Sequence, residues 1–275
     1  MTIETGWRYV LAMLLLGKVA VVSGVGPGLG RSIALAMARE GASVVMGART
    51  ETTLQNVAAE IESAGGAASW LRTDISSPGD CRNLIDCAVA RYGRIDILVN
   101  SGHHKGDFTA CEESDVDGWH EVFSVNLYGP VRLIQAALPV MKAQRDGRIV
   151  NVNSGAVISA NPGLGAYSAS KSALASVTKT LAQEIGRAGV RVNGIYVSSM
   201  VGDNILEFGA GEAERLGISV DEWLAAKSAA EFALGKMPCP DDIADVAVFP
   251  ASDQSRCMTG QILSANNGQW VTGNQ

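Results

Sequence analysis

Short apolar runs alternate along this chain with longer segments whose apolar residues recur every three to four positions. Residues 18–23 read as a buried, Val-rich strand. From 28 to 40 the apolar Leu29, Ile33, Leu35, Met37 and Ala38 interleave with Arg31, Arg39 and Glu40, a helical period that Gly41 ends. The alternation continues with a strand at 43–48, a helix at 50–64 closed by Gly65 and Gly66, and a strand at 68–73. Ser77 and Pro78 open a helix that runs to about Tyr92, with proline at an early helical position. A strand at 95–100, a long helix from 117 to 145, a strand at 148–153, an Ala- and Ser-rich helix at 165–187 and a strand at 190–197 follow. Residues 198–236 are less regular, with one or two short helices, before a helix at 241–251 and a last strand at 261–265.

Strands that read as nearly continuous apolar runs and alternate with helices predict a parallel sheet covered on both faces. Right-handed crossovers make it a doubly wound sheet, a Rossmann-type α/β fold. No linker, repeat or low-complexity stretch divides the chain, so one domain over 1–275 is expected. At 275 residues such a domain buries most of its apolar surface without a staple.

Composition and charge narrow the function. Hydrophobic residues make up 47% and charged residues 18%, a globular balance. The net charge of −6, with no basic run, argues against a nucleic-acid partner or an anionic membrane. The cysteines, Cys81, Cys87, Cys111, Cys239 and Cys257, form no Cys-x-x-Cys pair, and a reduced cytoplasmic chain is expected. His103, His104 and His120 have poor spacing for a metal, so no metal site is assigned. The apolar run from Tyr9 to Leu16 is too short to span a bilayer, and no small-residue cleavage site follows it. Residues 1–12 read as an extension, with Met13 as an alternative start.

The first strand runs straight into Gly24-Val25-Gly26-Pro27-Gly28-Leu29-Gly30, followed at once by a helix. A dinucleotide site needs glycine at such a turn for three reasons: the turn is tight, the backbone approaches a pyrophosphate, and the helix packs closely on the strand. Amides at the helix N-terminus then face the phosphates. The end of the second strand meets the adenosine ribose in this fold, where a carboxylate selects a 2′-hydroxyl and a basic group a 2′-phosphate. Here the residues are Gly47, Ala48 and Arg49, with no carboxylate. That favours NADP(H), with NAD(H) as the alternative and a solvated strand-end charge as the plain reading of Arg49.

Tyr167 and Lys171 stand four apart in a predicted helix and share a face. Ser154 lies just after the fifth strand, and Asn126 earlier, in Val125-Asn126-Leu127-Tyr128-Gly129. All sit toward the carboxyl side of the sheet, where ligands of such folds bind.

Together these features resemble the short-chain dehydrogenase/reductase family in its shorter single-domain form, over about residues 13–270. The motifs Gly24-x-x-x-Gly28-x-Gly30, Asp74, Asn100, Asn126, Ser154 and Tyr167-x-x-x-Lys171 fall in the family's order. The resemblance implies Tyr167 as general acid in reduction and base in oxidation, with the Lys171 ammonium lowering its pKa. It implies that Lys171 holds the nicotinamide ribose, that Ser154 binds the substrate carbonyl, and that Asn126 positions a water relaying protons toward Lys171. Asp74 would contact the adenine edge, with Leu29, Ile75 and Asn100 also at the cofactor. It further implies an alcohol or ketone substrate and a homotetramer or homodimer built on the two long helices.

The chain departs from the family pattern in three places. The fourth strand ends Asn100-Ser101-Gly102-His103 where Asn-Asn-Ala-Gly is usual, and His103, His104 and Lys105 read as a surface loop rather than a substrate contact. After the sixth strand stand Val197, Ser198 and Ser199 in place of Pro-Gly. Pro27 removes one amide donor from the glycine loop. Residues 198–236, which mix acidic residues with Ile205, Leu206, Phe208, Trp223 and Phe232, are expected to form a substrate lid. A catalytically weak cofactor-binding scaffold is the competing class, favoured by the altered loop and opposed by the intact Asn126, Ser154, Tyr167 and Lys171.

Overall fold

The computed structural model describes residues 13–270, so the expected extension at 1–12 lies outside the described residues. Seven parallel strands form one sheet in the order β3-β2-β1-β4-β5-β6-β7. The strands are β1 (Val19–Ser23), β2 (Ser43–Ala48), β3 (Ala67–Arg72), β4 (Ile97–Asn100), β5 (Gly147–Ser154), β6 (Val190–Val197) and β7 (Ile262–Ala265). The helices are α1 (Leu29–Arg39), α2 (Glu51–Ser63), α3 (Pro78–Tyr92), α4 (Trp119–Phe123), α5 (Gly129–Gln144), α6 (Gly165–Ile185), α7 (Asp203–Leu216), α8 (Val220–Glu231) and α9 (Pro240–Ala251). None of the described helices is long and apolar enough to cross a membrane.

The central strands are apolar on both faces because each face carries its own core. In β1, Ala20 and Val22 point into one core with Ile33 and Met37 of α1 and Ile243 and Ala247 of α9. Val19 and Val21 point into the other, with Leu84 of α3 and Ile134 of α5. A strand buried on both sides shows no polar alternation, which is why its sequence reads as an unbroken Val run.

The amino edge of the sheet is held by charge. The Asp96 carboxylate is fully buried. It accepts from the Val19 amide at 2.8 Å and from the Arg94 guanidinium at 2.9 and 2.6 Å. Beside it, Arg148 at the start of β5 pairs with Asp146 at 2.6 Å and with Asp253. These bonds tie β1, β4 and β5 at one end and leave the other end to the glycine turns.

One expectation is corrected. The helix expected at 117–145 is broken: α4 passes into a π-turn at Ser124–Tyr128 before α5 begins. Pro130 accounts for the break, since it has no N–H for the carbonyl of Asn126, its partner four residues back in a regular helix. Residues 198–236, where one or two short helices were expected, hold two, α7 and α8. Ser219 caps α8, accepting from the Glu222 amide at 3.2 Å while Glu222 accepts from the Ser219 amide at 2.8 Å.

Asp96→Ala leaves the Val19 amide and its basic neighbours without their buried partner. It is expected to destabilise the fold by about 3–5 kcal/mol, read as a fall in Tm in a thermal melt.

Candidate active site

The turn from β1 into α1 is shaped by glycines that act in two ways. Gly24 has φ +80°, and a Cβ built on it would run into the backbone of Ser101 and Gly102 after β4. A Cβ on Gly30 would strike the Gly24 carbonyl, so the helix lies directly on the strand end. Gly26 and Gly28, by contrast, look onto open space. No side chain caps α1, and no acidic residue stands in its first turn. The amides of Leu29 and Gly30 have no backbone carbonyl partner among the described residues. Free amides, a helix N-terminus and room for an anion fit the pyrophosphate of a nicotinamide dinucleotide.

At the far end of this crevice, Arg49 stands exposed at the end of β2. Arg72, which the sequence reading missed, ends β3 in register with Ala48. Strand order alone brings the two together, and that order is not written in either segment. Asp74 follows. Its carboxylate accepts from the Ser76 hydroxyl at 2.7 Å and the Ser76 amide at 2.9 Å. The Ser76 hydroxyl first, then the Ser76 amide and the charges of Arg49 and Arg72, hold its pKa below the ordinary carboxylate value against the opposing effect of burial.

Asn100 turns inward rather than toward the crevice. Its Nδ2 donates to Asn151 Oδ1 at 2.9 Å, and Asn151 Nδ2 donates to Thr178 Oγ1 at 2.9 Å. The Ser23 hydroxyl donates to Asn100 Oδ1 at 3.4 Å. The side chain therefore joins β1, β4, β5 and α6 through the core. Ile75 is buried against Gly102 and Gly129.

Ser154, Tyr167 and Lys171 converge at the carboxyl end of β5. Lys171 is 2% exposed, and its Nζ donates to the Val152 carbonyl at 2.9 Å. The ammonium stands 6.0 Å from the centroid of the Tyr167 ring. Burial pushes the Lys171 pKa down to about 8. Burial also raises the Tyr167 phenol, while the Ser154 hydroxyl facing it pulls the value back. Desolvation of the phenol dominates here, and the Lys171 ammonium is directed at the β5 backbone.

Asn126 is fully buried in the π-turn. Its Oδ1 accepts from the His104 amide at 2.7 Å, and its Nδ2 donates to the His104 carbonyl at 2.8 Å and to Ser170 Oγ at 2.9 Å. Both amide hydrogens are spent on His104 and Ser170, so the side chain has no donor left for the expected water. Residues 103–105 are exposed, as expected of a surface loop, but the clamp fixes where that loop runs. The His104 backbone is fixed between the β4 end and the π-turn. Partial desolvation, with the charges of Lys171 and Lys105, pushes the pKa of the exposed His103 down to about 4. His103 is therefore neutral near pH 7.

A family model described as short chain dehydrogenase matches residues 18–205. The chain is 32% identical to a 3-oxoacyl-[acyl-carrier-protein] reductase of Thermotoga maritima, over 93% of this chain and 99% of that one. It is equally 32% identical to a 2,5-dichloro-2,5-cyclohexadiene-1,4-diol dehydrogenase of Sphingobium indicum, over 96% of this chain and all 100% of the relative. Among solved structures, NAD+-bound xylitol dehydrogenase superposes with a TM-score of 0.83 at 25% identity, covering 92% of this chain and 99% of that one. The chain belongs to the short-chain dehydrogenase/reductase family. It is an oxidoreductase of the class that acts on CH–OH groups and carbonyls and uses a nicotinamide cofactor.

The glycine loop separates folding from binding. Gly24→Ala meets backbone at a positive φ and is expected to cost about 2–4 kcal/mol of stability. Gly26→Ala is expected to fold with near-normal Tm but to bind dinucleotide about tenfold more weakly, because its methyl enters the open space. Thermal melts and a cofactor fluorescence titration check both.

Proposed function

We propose that this enzyme moves a hydride between NADP(H) and a secondary alcohol or its ketone, with Tyr167 as general acid and base. The observation that carries the reading is the convergence of Ser154, Tyr167 and a fully buried Lys171 at the end of the strand beside the glycine crevice. Gly24, Gly28, Leu29 and Gly30 would hold the pyrophosphate, and Asp74 and Ile75 the adenosine side. Tyr167 and Lys171 would hold the nicotinamide ribose. Bound there, the nicotinamide supplies the hydride acceptor or donor.

The residues then supply the proton and the orientation. In oxidation the Tyr167 phenolate takes the hydroxyl proton of the alcohol; in reduction the phenol returns it to the carbonyl oxygen. Ser154 donates to that oxygen as negative charge gathers on it. Lys171, held by the Val152 carbonyl, places a positive charge behind the phenol. The helices α7 and α8 act as the lid that excludes water.

Tyr167→Phe is expected to lower kcat by at least about a thousandfold while cofactor binding persists. Near-normal turnover in this variant removes the mechanism. The raised phenol pKa sets the sign of the pH profile. The phenolate is the minor form near neutrality, so kcat/KM for oxidation should climb steadily from about pH 7 upward, while reduction stays level until the pH approaches the raised phenol pKa. Flat profiles in both directions contradict Tyr167 as the titrating group.

Support for NADP(H) comes from Arg49 and Arg72, two guanidinium groups at the adenosine end with no carboxylate at the close of β2. NADPH should bind at least about tenfold more tightly than NADH, roughly 1.4 kcal/mol. Removing both arginines together should erase that margin while leaving NADH affinity nearly unchanged. A fluorescence titration showing tighter NADH binding by the unmodified protein assigns NAD(H) instead.

A further inference from the structure

The residue directly after Ser154 is Gly155, which is buried and opens a single 3₁₀ turn, Gly155–Val157. A Cβ built on Gly155 would fall inside the benzo ring of Trp270. The indole thus occupies the volume that a side chain at position 155 would take. Gly163 in the same β5–α6 connection and Gly165 at the start of α6 also lie near aromatic rings, Gly165 with Cys111 closer still. Phe108 lies 2.9–3.0 Å from a Cβ built on Gly163, and Trp119 lies 3.5–3.6 Å from one built on Gly165. Phe108 is 77% exposed and Ile158, on the same connection, 50%. Aromatic and apolar surface therefore surrounds the segment that carries Ser154.

Trp270 is brought there by a stapled turn rather than by chance of a chain end. Asn267 and Gly268 take positive φ values of 46° and 79°, which reverse the chain after β7. The Asn267 carbonyl accepts from the Leu234 amide at 3.1 Å, and Asn267 Nδ2 donates to the Lys236 carbonyl at 3.1 Å. Gln269 bridges two elements: its Nε2 donates to Glu231 at the end of α8 at 3.1 Å, and its Oε1 accepts from the Ser199 amide at 3.3 Å. The turn is thereby fixed both to the lid and to the segment after β6 that departs from the family's Pro-Gly.

We propose that Trp270 is a specificity-determining residue whose indole forms the substrate wall beside Ser154, selecting ketones and alcohols whose reacting carbon is attached to a flat apolar ring. The inference rests on the reading of Ser154, Tyr167 and Lys171 as the reacting centre. A carbonyl held by Ser154 places its substituents one bond from the reacting carbon, next to position 155. There the wall is an indole instead of an aliphatic side chain. An indole face gains by stacking on a flat ring, whereas a flexible chain gains only contact area and loses rotamer freedom.

The test compares acetophenone with 2-octanone, which match in carbon count and differ in having a ring. Calorimetry on the NADP+-saturated protein gives Kd for each ketone, and turnover with NADPH gives kcat/KM. The unmodified protein is expected to favour acetophenone by at least about tenfold in Kd. Trp270→Ala should collapse that preference to near unity, Trp270→Phe should keep most of it, and Gly155→Ala, which displaces the indole from below with the tail intact, should follow Trp270→Ala. No preference in the unmodified protein, no binding of either ketone, or a preference unchanged in both Trp270→Ala and Gly155→Ala overturns the proposal. Tyr167→Phe separates the two readings. Loss of turnover with ring preference in Kd intact upholds both, while retained turnover removes the mechanism and leaves the binding result to judge Trp270 by itself.

Discussion

The carboxyl edge of the sheet depends on one close approach of backbone to backbone, Gly24 against Ser101 and Gly102. β1 and β4 are neighbours in the sheet but far apart in sequence, and the strand order reverses between them. Ligands of open α/β sheets bind at such a reversal, because the connections on either side leave to opposite faces and open a crevice. Glycine on both sides lets the crevice floor stay narrow. From there the constraint passes along a chain of bonds: Gly102 leads to His104, whose backbone Asn126 clamps, and Asn126 bonds Ser170, the neighbour of Lys171. The glycine contact and the buried lysine belong to one connected arrangement.

Charge is treated differently at the two ends of the sheet. At the amino edge, Asp96 and Arg148 are buried in ion pairs, and their geometry serves the fold. At the carboxyl edge, Lys171 is buried with a carbonyl as its hydrogen-bond acceptor. Its pKa has dropped to about 8 from an ordinary 10.5. Since the folded chain releases this proton first, the group opposes folding below about pH 8 and the penalty fades as pH rises toward 10.5. A side chain that costs stability where packing alone would prefer an apolar group marks a place organised for chemistry.

Much of the architecture was legible in the chain because its signals are local. Val-rich runs, helical periods, Ser77-Pro78 at a helix start and Gly65-Gly66 at a helix end each act within a few residues, and the strand and helix order followed from them. The glycine loop was legible for the same reason. Asn126 was harder. The residue type was visible, but its partners are the backbone of a loop after β4 and a serine on α6, so its clamp depends on three segments meeting. The break in the long helix comes from Pro130, yet a proline near a helix start also opens an unbroken helix, so its residue type was open to both outcomes.

By itself the sequence determined the class of fold, the dinucleotide turn and the side chains available for proton transfer, because period, turn chemistry and residue type are properties of short segments. Only the tertiary structure decided that Asn100 faces the core, that Arg72 joins Arg49 at the adenosine end, that burial governs the ionisation of Tyr167 and Lys171, and that Trp270 reaches Gly155. Those outcomes turn on strand order, desolvation and contact between distant segments. Each is a sum over neighbours in space, and neighbours in space are what a one-dimensional pattern leaves unspecified.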